Sequence, residues 1–134
     1  LPEGTEAAIS FAIDGSLKHV FTGTGPDMSV AIRGMQHPYV LLHNHASNDI
    51  LSPEDILALI RHDNMVAIGA VGNKGALFTC EKVFGYSREK AVSFYQSILG
   101  QYPEMHVNLE QRVQFMQSFM KGAEKYGLHF SSPG

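Results

Sequence analysis

The segment Leu41-Leu42-His43-Asn44-His45 ends an apolar run on two histidines separated by one asparagine, and Ser52 and Asp55 follow after a short polar loop. In a strand, residues two apart point to the same face. His43 and His45 would then stand side by side while Asn44 faces away. Two imidazoles held this way are half of a zinc site, and a catalytic zinc takes three protein ligands and keeps one position open for water. The third ligand would be another His or a carboxylate. Asp55 is a candidate because the chain after His45 must fold back to begin its next element. Zinc can bring the pKa of water to about 7, and a nearby carboxylate can then take the proton. The upstream acids are Glu3 and Glu6, and Glu6 opens a segment that could run beside the histidine strand. The Ser52 hydroxyl could donate to the oxyanion that forms when a carbonyl is attacked.

Each of these residues also has a plainer use. A His pair at i, i+2 can be a surface pair or a hydrogen-bonded strand end. Ser52 is a good helix N-cap. Asp55 three residues on meets the helix dipole and completes a Ser-x-x-Asp capping box. Glu6 alone is an ordinary strand-edge charge. A cap, however, needs only the Ser and the Asp; two same-face histidines just upstream are no part of it.

The elements that must hold these residues follow from periodicity. Glu6 to Gly23 reads as a β-hairpin, in which Ile9, Phe11 and Ile13 alternate with Ala8, Ser10 and Ala12 and Asp14-Gly15 supplies the positive φ angles of a tight turn. Residues 24–38 carry no clear period and are left open between a strand and a helical turn. Pro38 introduces the strand Tyr39 to His45, apolar on both faces from Tyr39 to Leu42, as in a central strand covered on both sides. Ser52 caps a helix with Pro53 at its first position and Ile56, Leu59 and Ile60 as its buried stripe. Met65 to Val83 reads as a second hairpin turning at Asn73-Lys74-Gly75. The rest is helical. Ser87 caps a helix whose inner face is Ala91, Phe94, Tyr95 and Ile98 and which closes at Gly100. Asn108 with Gln111 suggests a capping box opening a last helix with Leu109, Val113, Met116 and Met120 inward, stopped by Gly127. Met116, Met120, Phe115 and Phe119 form an apolar set that reads mostly as core, although Phe115 and Phe119 fall off the main stripe and could instead face a second subunit; the tail Ser131 to Gly134 reads as frayed. The order predicts an α/β fold, a mixed β-sheet flanked by helices, in one domain over 1–134 with C-terminal helices in 87–127.

Bulk properties narrow the function. The 134 residues fit one domain, and a hydrophobic fraction of 44% supports a buried core. The net charge of −3, without a basic block, argues against a nucleic-acid surface. The single cysteine, Cys80, excludes an internal disulfide and a thiolate metal cluster and reads as an inert buried thiol. The sequence has no apolar run of membrane-spanning length, and its first residues lack the basic start and long apolar core of a signal peptide. The chain starts without Met and could belong to a longer polypeptide, cytoplasmic or a delivered effector. His19, His37, His62, His106 and His129 are scattered and read as surface or structural.

The segment His43 to Asp55, HNHASNDILSPED, resembles the signature of the JAMM/MPN+ (JAB domain) zinc metalloproteases, which runs His-x-His-Pro, a short loop and then Ser-x-x-Asp. It is most similar to the bacterial RadC-like branch and to JAB domains of phage and polymorphic-toxin proteins. The resemblance covers about residues 6–85 and implies a JAMM/cytidine-deaminase-like fold. It implies zinc held by His43, His45 and Asp55, Ser52 as the oxyanion donor, and Glu6, with Glu3 as the fallback, as catalytic base. The implied activity is hydrolysis of an amide or isopeptide bond in a peptide or protein substrate. Three features depart from the pattern: Ala46 stands where the family has Pro, the loop before Ser52 is one residue shorter than in deubiquitinating members, and Glu6 lies closer to the His pair. Two other functions fit the same fold, a catalytically inactive interaction module and a RadC-like DNA-associated or toxin domain.

Overall fold

The computed structural model describes residues 6–12, 18–23, 38–44, 51–72 and 75–132, with only the backbone of residues 6–8, 11 and 18–23. His45, the residues 24–37 left open above, and Glu3 lie outside the described residues. The elements in chain order are β1 (Glu6–Ala12), β2 (Lys18–Gly23), β3 (Tyr39–Asn44), α1 (Pro53–Arg61), β4 (Met65–Val71), β5 (Leu77–Lys82), α2 (Arg88–Gln101), α3 (Leu109–Gly122), a 3-10 turn (Ala123–Tyr126) and β6 (Leu128–Ser131). The architecture is mixed α/β. The described strands form one sheet in the order β2-β1-β3-β4-β5-β6.

Four of the five ladders are antiparallel, and β3–β4 is parallel. A parallel neighbour requires a crossover, because the chain must return to the end at which it began. Here the crossover contains α1. The topology therefore brings the N-terminus of α1 back to the end of the sheet where β3 finishes, and β3 finishes with His43 and Asn44. In open α/β sheets this carboxyl end of the parallel strands is the general location of ligand sites.

The two hairpins expected from turn chemistry are present. The β1–β2 ladder pairs Phe11 with Lys18 and Ile9 with Val20, symmetric about Asp14-Gly15, though residues 13–17 themselves lie outside the described set. The β4–β5 turn is closed by hydrogen bonds from Gly72 N–H to the Ala76 carbonyl and from Gly75 N–H to the Gly72 carbonyl, with Gly75 at φ 85°.

The strand β3 is central, as its apolar run suggested, but its two faces differ. Tyr39, Leu41 and His43 are buried, while Val40, Leu42 and Asn44 are half-buried. The buried face joins Met65, Ile68 and Ala70 of β4, Cys80 of β5 and Leu128 of β6 to the inner faces of all three helices in one core. In α1 the expected stripe of Ile56, Leu59 and Ile60 is fully buried. In α2, Ala91, Tyr95 and Ile98 are buried and Phe94 half-buried; the helix continues one residue past Gly100 and is capped by Tyr102.

Three C-terminal expectations are corrected. The inner face of α3 is Phe115, Met116 and Phe119: Met116 is buried and Met120 half-buried as expected, but Phe115 and Phe119 are 0% exposed, whereas Leu109 is 77% and Val113 48% exposed. The aromatic residues win because they complete a ring cluster. Tyr95 meets Phe115 edge-on at 4.9 Å and Phe94 lies 4.9 Å from Phe119, and aromatic pairs of this kind add stabilisation beyond the area they bury. Phe115 and Phe119 are thus not a surface for a second subunit. The Asn108 box is half-formed: Asn108 Oδ1 accepts from Gln111 N–H at 2.9 Å, but the Gln111 amide oxygen accepts from Glu104 N–H at 2.8 Å instead of returning to Asn108. Finally, Leu128–Ser131 is a strand that local pattern does not announce, so Ser131 is paired rather than frayed. The strand pairs antiparallel with β5 at the sheet edge, entered through Gly127 at φ 77°. A Cβ at Gly127 would lie 2.5 Å from the Tyr86 backbone, so both conformation and contact require glycine there.

The reassigned face of α3 can be checked by stability measurements. Phe119→Ala is expected to cost about 3–5 kcal/mol and Val113→Ala to stay within about 0.5 kcal/mol, read from urea unfolding midpoints. Equal costs would restore the original stripe.

Candidate metal centre

The first turn of α1 begins at Ser52, whose extended backbone, φ −91° and ψ 163°, lets its side chain reach forward over the helix end. Ser52 Oγ accepts from Asp55 N–H at 3.2 Å, and Asp55 Oδ2 accepts from Ser52 N–H at 2.9 Å. This is a complete capping box, with Pro53 at the first helical position, where the amide proton it lacks would have no helical partner. Two backbone donors of the helix start are thereby satisfied within one turn.

The box uses only one oxygen of Asp55. The other, Oδ1, lies 3.0 Å from Nε2 of His43. Both side chains are largely withdrawn from solvent, at 8% and 13% exposure. His43 reaches this position because it shares the buried face of β3 with Tyr39 and Leu41, at the end of the strand that α1 returns to. Asp55 is therefore a capping residue through one oxygen, as expected, and a neighbour of His43 through the other.

The donor set fits a zinc ion as far as it is described. Bonds of 2.0–2.1 Å at tetrahedral angles place two ligand atoms about 3.3 Å apart, close to the 3.0 Å between Nε2 and Oδ1. Imidazole nitrogen and carboxylate oxygen are ordinary zinc donors. A ligating carboxylate that takes a hydrogen bond on its second oxygen is oriented in the way metal sites commonly use, and the Ser52 N–H does this for Asp55. Among the described residues no three His, Cys, Asp or Glu side chains converge. The remaining donor named from the sequence, His45, lies outside them.

The backbone of β1 is described next to this site. Ala8 pairs with His43 across the β1–β3 ladder, and Glu6 is two residues from Ala8, paired on its other side with Gly23. Positions two apart along a strand share a face, so position 6 belongs to the same side of β1 as the partner of His43.

The chain matches no protein-family model, no curated protein and no solved structure. The site therefore rests on its own geometry.

The scattered histidines have structural uses where they are described. His62 Nδ1 donates to the Ala58 carbonyl at 2.8 Å at the end of α1, and His129 Nδ1 lies 2.7 Å from Glu124. His106 approaches Glu54 at 3.8 Å, on the helix turn that carries Asp55. His37 and the side chain of His19 are outside the described set. Cys80 is fully buried, and burial pushes its thiol up to about 12, which leaves it unreactive.

Two polar groupings were not visible in the sequence. Lys82 donates to the His62 carbonyl at 3.0 Å and lies 5.0 Å from the centre of the Tyr86 ring; burial brings its amine down to about 8. Glu54 is held by Arg112 of α3, and the Pro53 carbonyl by the Tyr95 hydroxyl of α2. These are contacts between residues 42 and 58 positions apart in sequence, and no local pattern announces them.

The shared role of Asp55 predicts unequal costs within the box. Ser52→Ala should destabilise by about 1 kcal/mol, the ordinary value of an N-cap. Asp55→Ala, which also removes the charged partner of His43, should cost about 1.5–3 kcal/mol. Urea denaturation of both variants at neutral pH measures the difference, and equal losses would mean that the His43 contact contributes nothing.

Proposed function

We propose that this chain is a zinc-dependent metallopeptidase of the JAMM/MPN+ type, with the JAMM/cytidine-deaminase-like arrangement of a mixed sheet and flanking helices, hydrolysing an amide or isopeptide bond. The observation that carries this reading is the approach of His43 Nε2 to Asp55 Oδ1 at 3.0 Å, at the carboxyl end of a parallel strand pair. The supporting observation is that the Ser of the same motif sits at the N-cap beside that contact.

His43, His45 and Asp55 would hold the metal. A bound zinc supplies a Lewis acid that polarises the scissile carbonyl and makes water acidic enough to act as a nucleophile near neutral pH. Glu6 takes a proton from the attacking water and delivers it to the departing amine, the two halves of general base and general acid work. The Ser52 hydroxyl accepts one backbone N–H and retains its own proton. It can therefore donate to the carbonyl oxygen as negative charge builds there, while still capping the helix. Preorganised donors of this kind contribute because they need no rearrangement during the reaction. Asp55, fixed through its second oxygen, keeps the first beside His43 Nε2, where it would serve as a ligand. The substrate is a peptide or protein, and the acidic balance of the chain weighs against a nucleic-acid substrate.

Metal analysis and turnover test the assignment together. The purified chain is expected to carry stoichiometric zinc, to lose it to a chelator, and to regain both metal and hydrolysis of internally quenched peptides carrying α- or isopeptide linkages when zinc is restored. Glu6→Gln should keep zinc while losing about 10²–10⁴-fold in kcat, the usual contribution of a general base. Glu3→Gln should leave kcat unchanged. Absence of stoichiometric zinc in the wild-type chain would sink the proposal; full activity in Glu6→Gln would transfer the base to another residue.

A further inference from the structure

The C-terminal helices lie beyond the part of the chain that carries the motif, yet they grip the turn that presents Asp55. Ser52, Pro53, Glu54 and Asp55 form that turn. Its Pro53 carbonyl accepts the Tyr95 hydroxyl of α2 at 3.4 Å in a buried contact. Its Glu54 carboxylate takes both terminal nitrogens of Arg112 of α3, one to each oxygen, with Nη1 3.0 Å from Oε2. Burial and the Glu54 charge push the Tyr95 phenol up to about 12, so it stays a donor across the working range. A bidentate guanidinium–carboxylate pair fixes direction as well as distance. The turn is thus tied at two successive residues to two different helices, and the next residue is the one that meets His43.

We propose that Arg112 and Tyr95 are positioning residues for the metal centre, holding the first turn of α1 so that Asp55 Oδ1 stays within coordinating distance of His43 Nε2. This inference rests on the zinc reading above. It assigns a function to α2 and α3 beyond covering the sheet. Outer contacts of this type commonly change metal affinity by about 10–100-fold when removed. Arg112 and Glu54 are partly exposed, so the lower end of that range applies.

The test is zinc affinity by competition with a chromophoric chelator, with the thermal midpoint of the metal-free chain recorded alongside. Arg112→Gln is expected to weaken zinc by about tenfold with little change in the metal-free midpoint. Arg112→Lys keeps the charge but not the planar fork, and should remain weakened. Glu54→Gln should cost little further affinity once Arg112 is already Gln, because the two act through one contact. Tyr95→Phe, which removes one hydroxyl and nothing else, should weaken zinc by a few-fold and serves if the Arg112 variants fold poorly. Wild-type affinity in both Arg112→Gln and Tyr95→Phe would overturn the inference while leaving the zinc reading intact. Full rescue by Arg112→Lys would also overturn it, by reducing the role of Arg112 to its charge. A wild-type chain that takes up no zinc would overturn the zinc reading first, and this inference with it.

Discussion

The carboxylate of Asp55 is the point on which the rest of the site depends. One oxygen closes the capping box with the Ser52 backbone and the other meets His43, so a single side chain both starts a helix and ties that helix to the central strand. The two duties reinforce each other. The box removes the rotational freedom that a lone carboxylate would have to lose on binding a partner, and ordering a side chain of this kind has a real entropic cost. The strand contact in turn fixes where the helix begins. A helix start placed this firmly also brings its unsatisfied backbone N–H groups, and the positive end of its dipole, next to the anionic group it holds.

The sheet topology makes this contact available. Were β3 and β4 antiparallel neighbours, a short turn would suffice and no helix would return to the end of β3. The parallel pair demands a crossover, and the crossover helix begins where His43 stands. Packing then determines how rigid the arrangement is. Ile56, Leu59 and Ile60 bury the underside of α1 completely, and the aromatic cluster of Tyr95, Phe115 and Phe119 seats α2 and α3 on the same core. With the core filled, Tyr95 and Arg112 reach the first turn of α1 from fixed positions.

How much of this was legible in the sequence depended on how local the determining interaction was. The capping box at Ser52 and Asp55, the stripe of α1 and the two hairpins follow from residues a few positions apart, and they were readable. The proximity of His43 and Asp55 was readable only as a pattern, since the eleven intervening positions say nothing of the return path. The phase of α3 was misread because Leu109 and Val113 make a plausible stripe on hydropathy alone. Phe115 and Phe119 outcompete them through contacts with Phe94 and Tyr95, which no window within α3 contains. The edge strand at Leu128 was missed because four residues after a glycine carry little period, and its pairing with β5 is a tertiary event. The Glu54–Arg112 contact is tertiary in the same way.

Stability does not explain why the pair of His43 and Asp55 exists. Withdrawing a titratable ring and a carboxylate from water is costly, and replacing buried ion pairs by apolar residues of similar volume is often neutral or stabilising. The capping box needs Asp55 but has no use for an imidazole 3.0 Å from its second oxygen. The face of β3 that carries His43 otherwise presents Tyr39 and Leu41 to the core, and an aliphatic side chain would continue that face without desolvating a polar group. The pairing supplies what the proposed metal centre would use, an imidazole set against a carboxylate already oriented by its neighbour. Imidazole nitrogen and carboxylate oxygen are both ordinary donors to zinc, and that shared preference is what the proposal of a metal centre at this end of the sheet draws on.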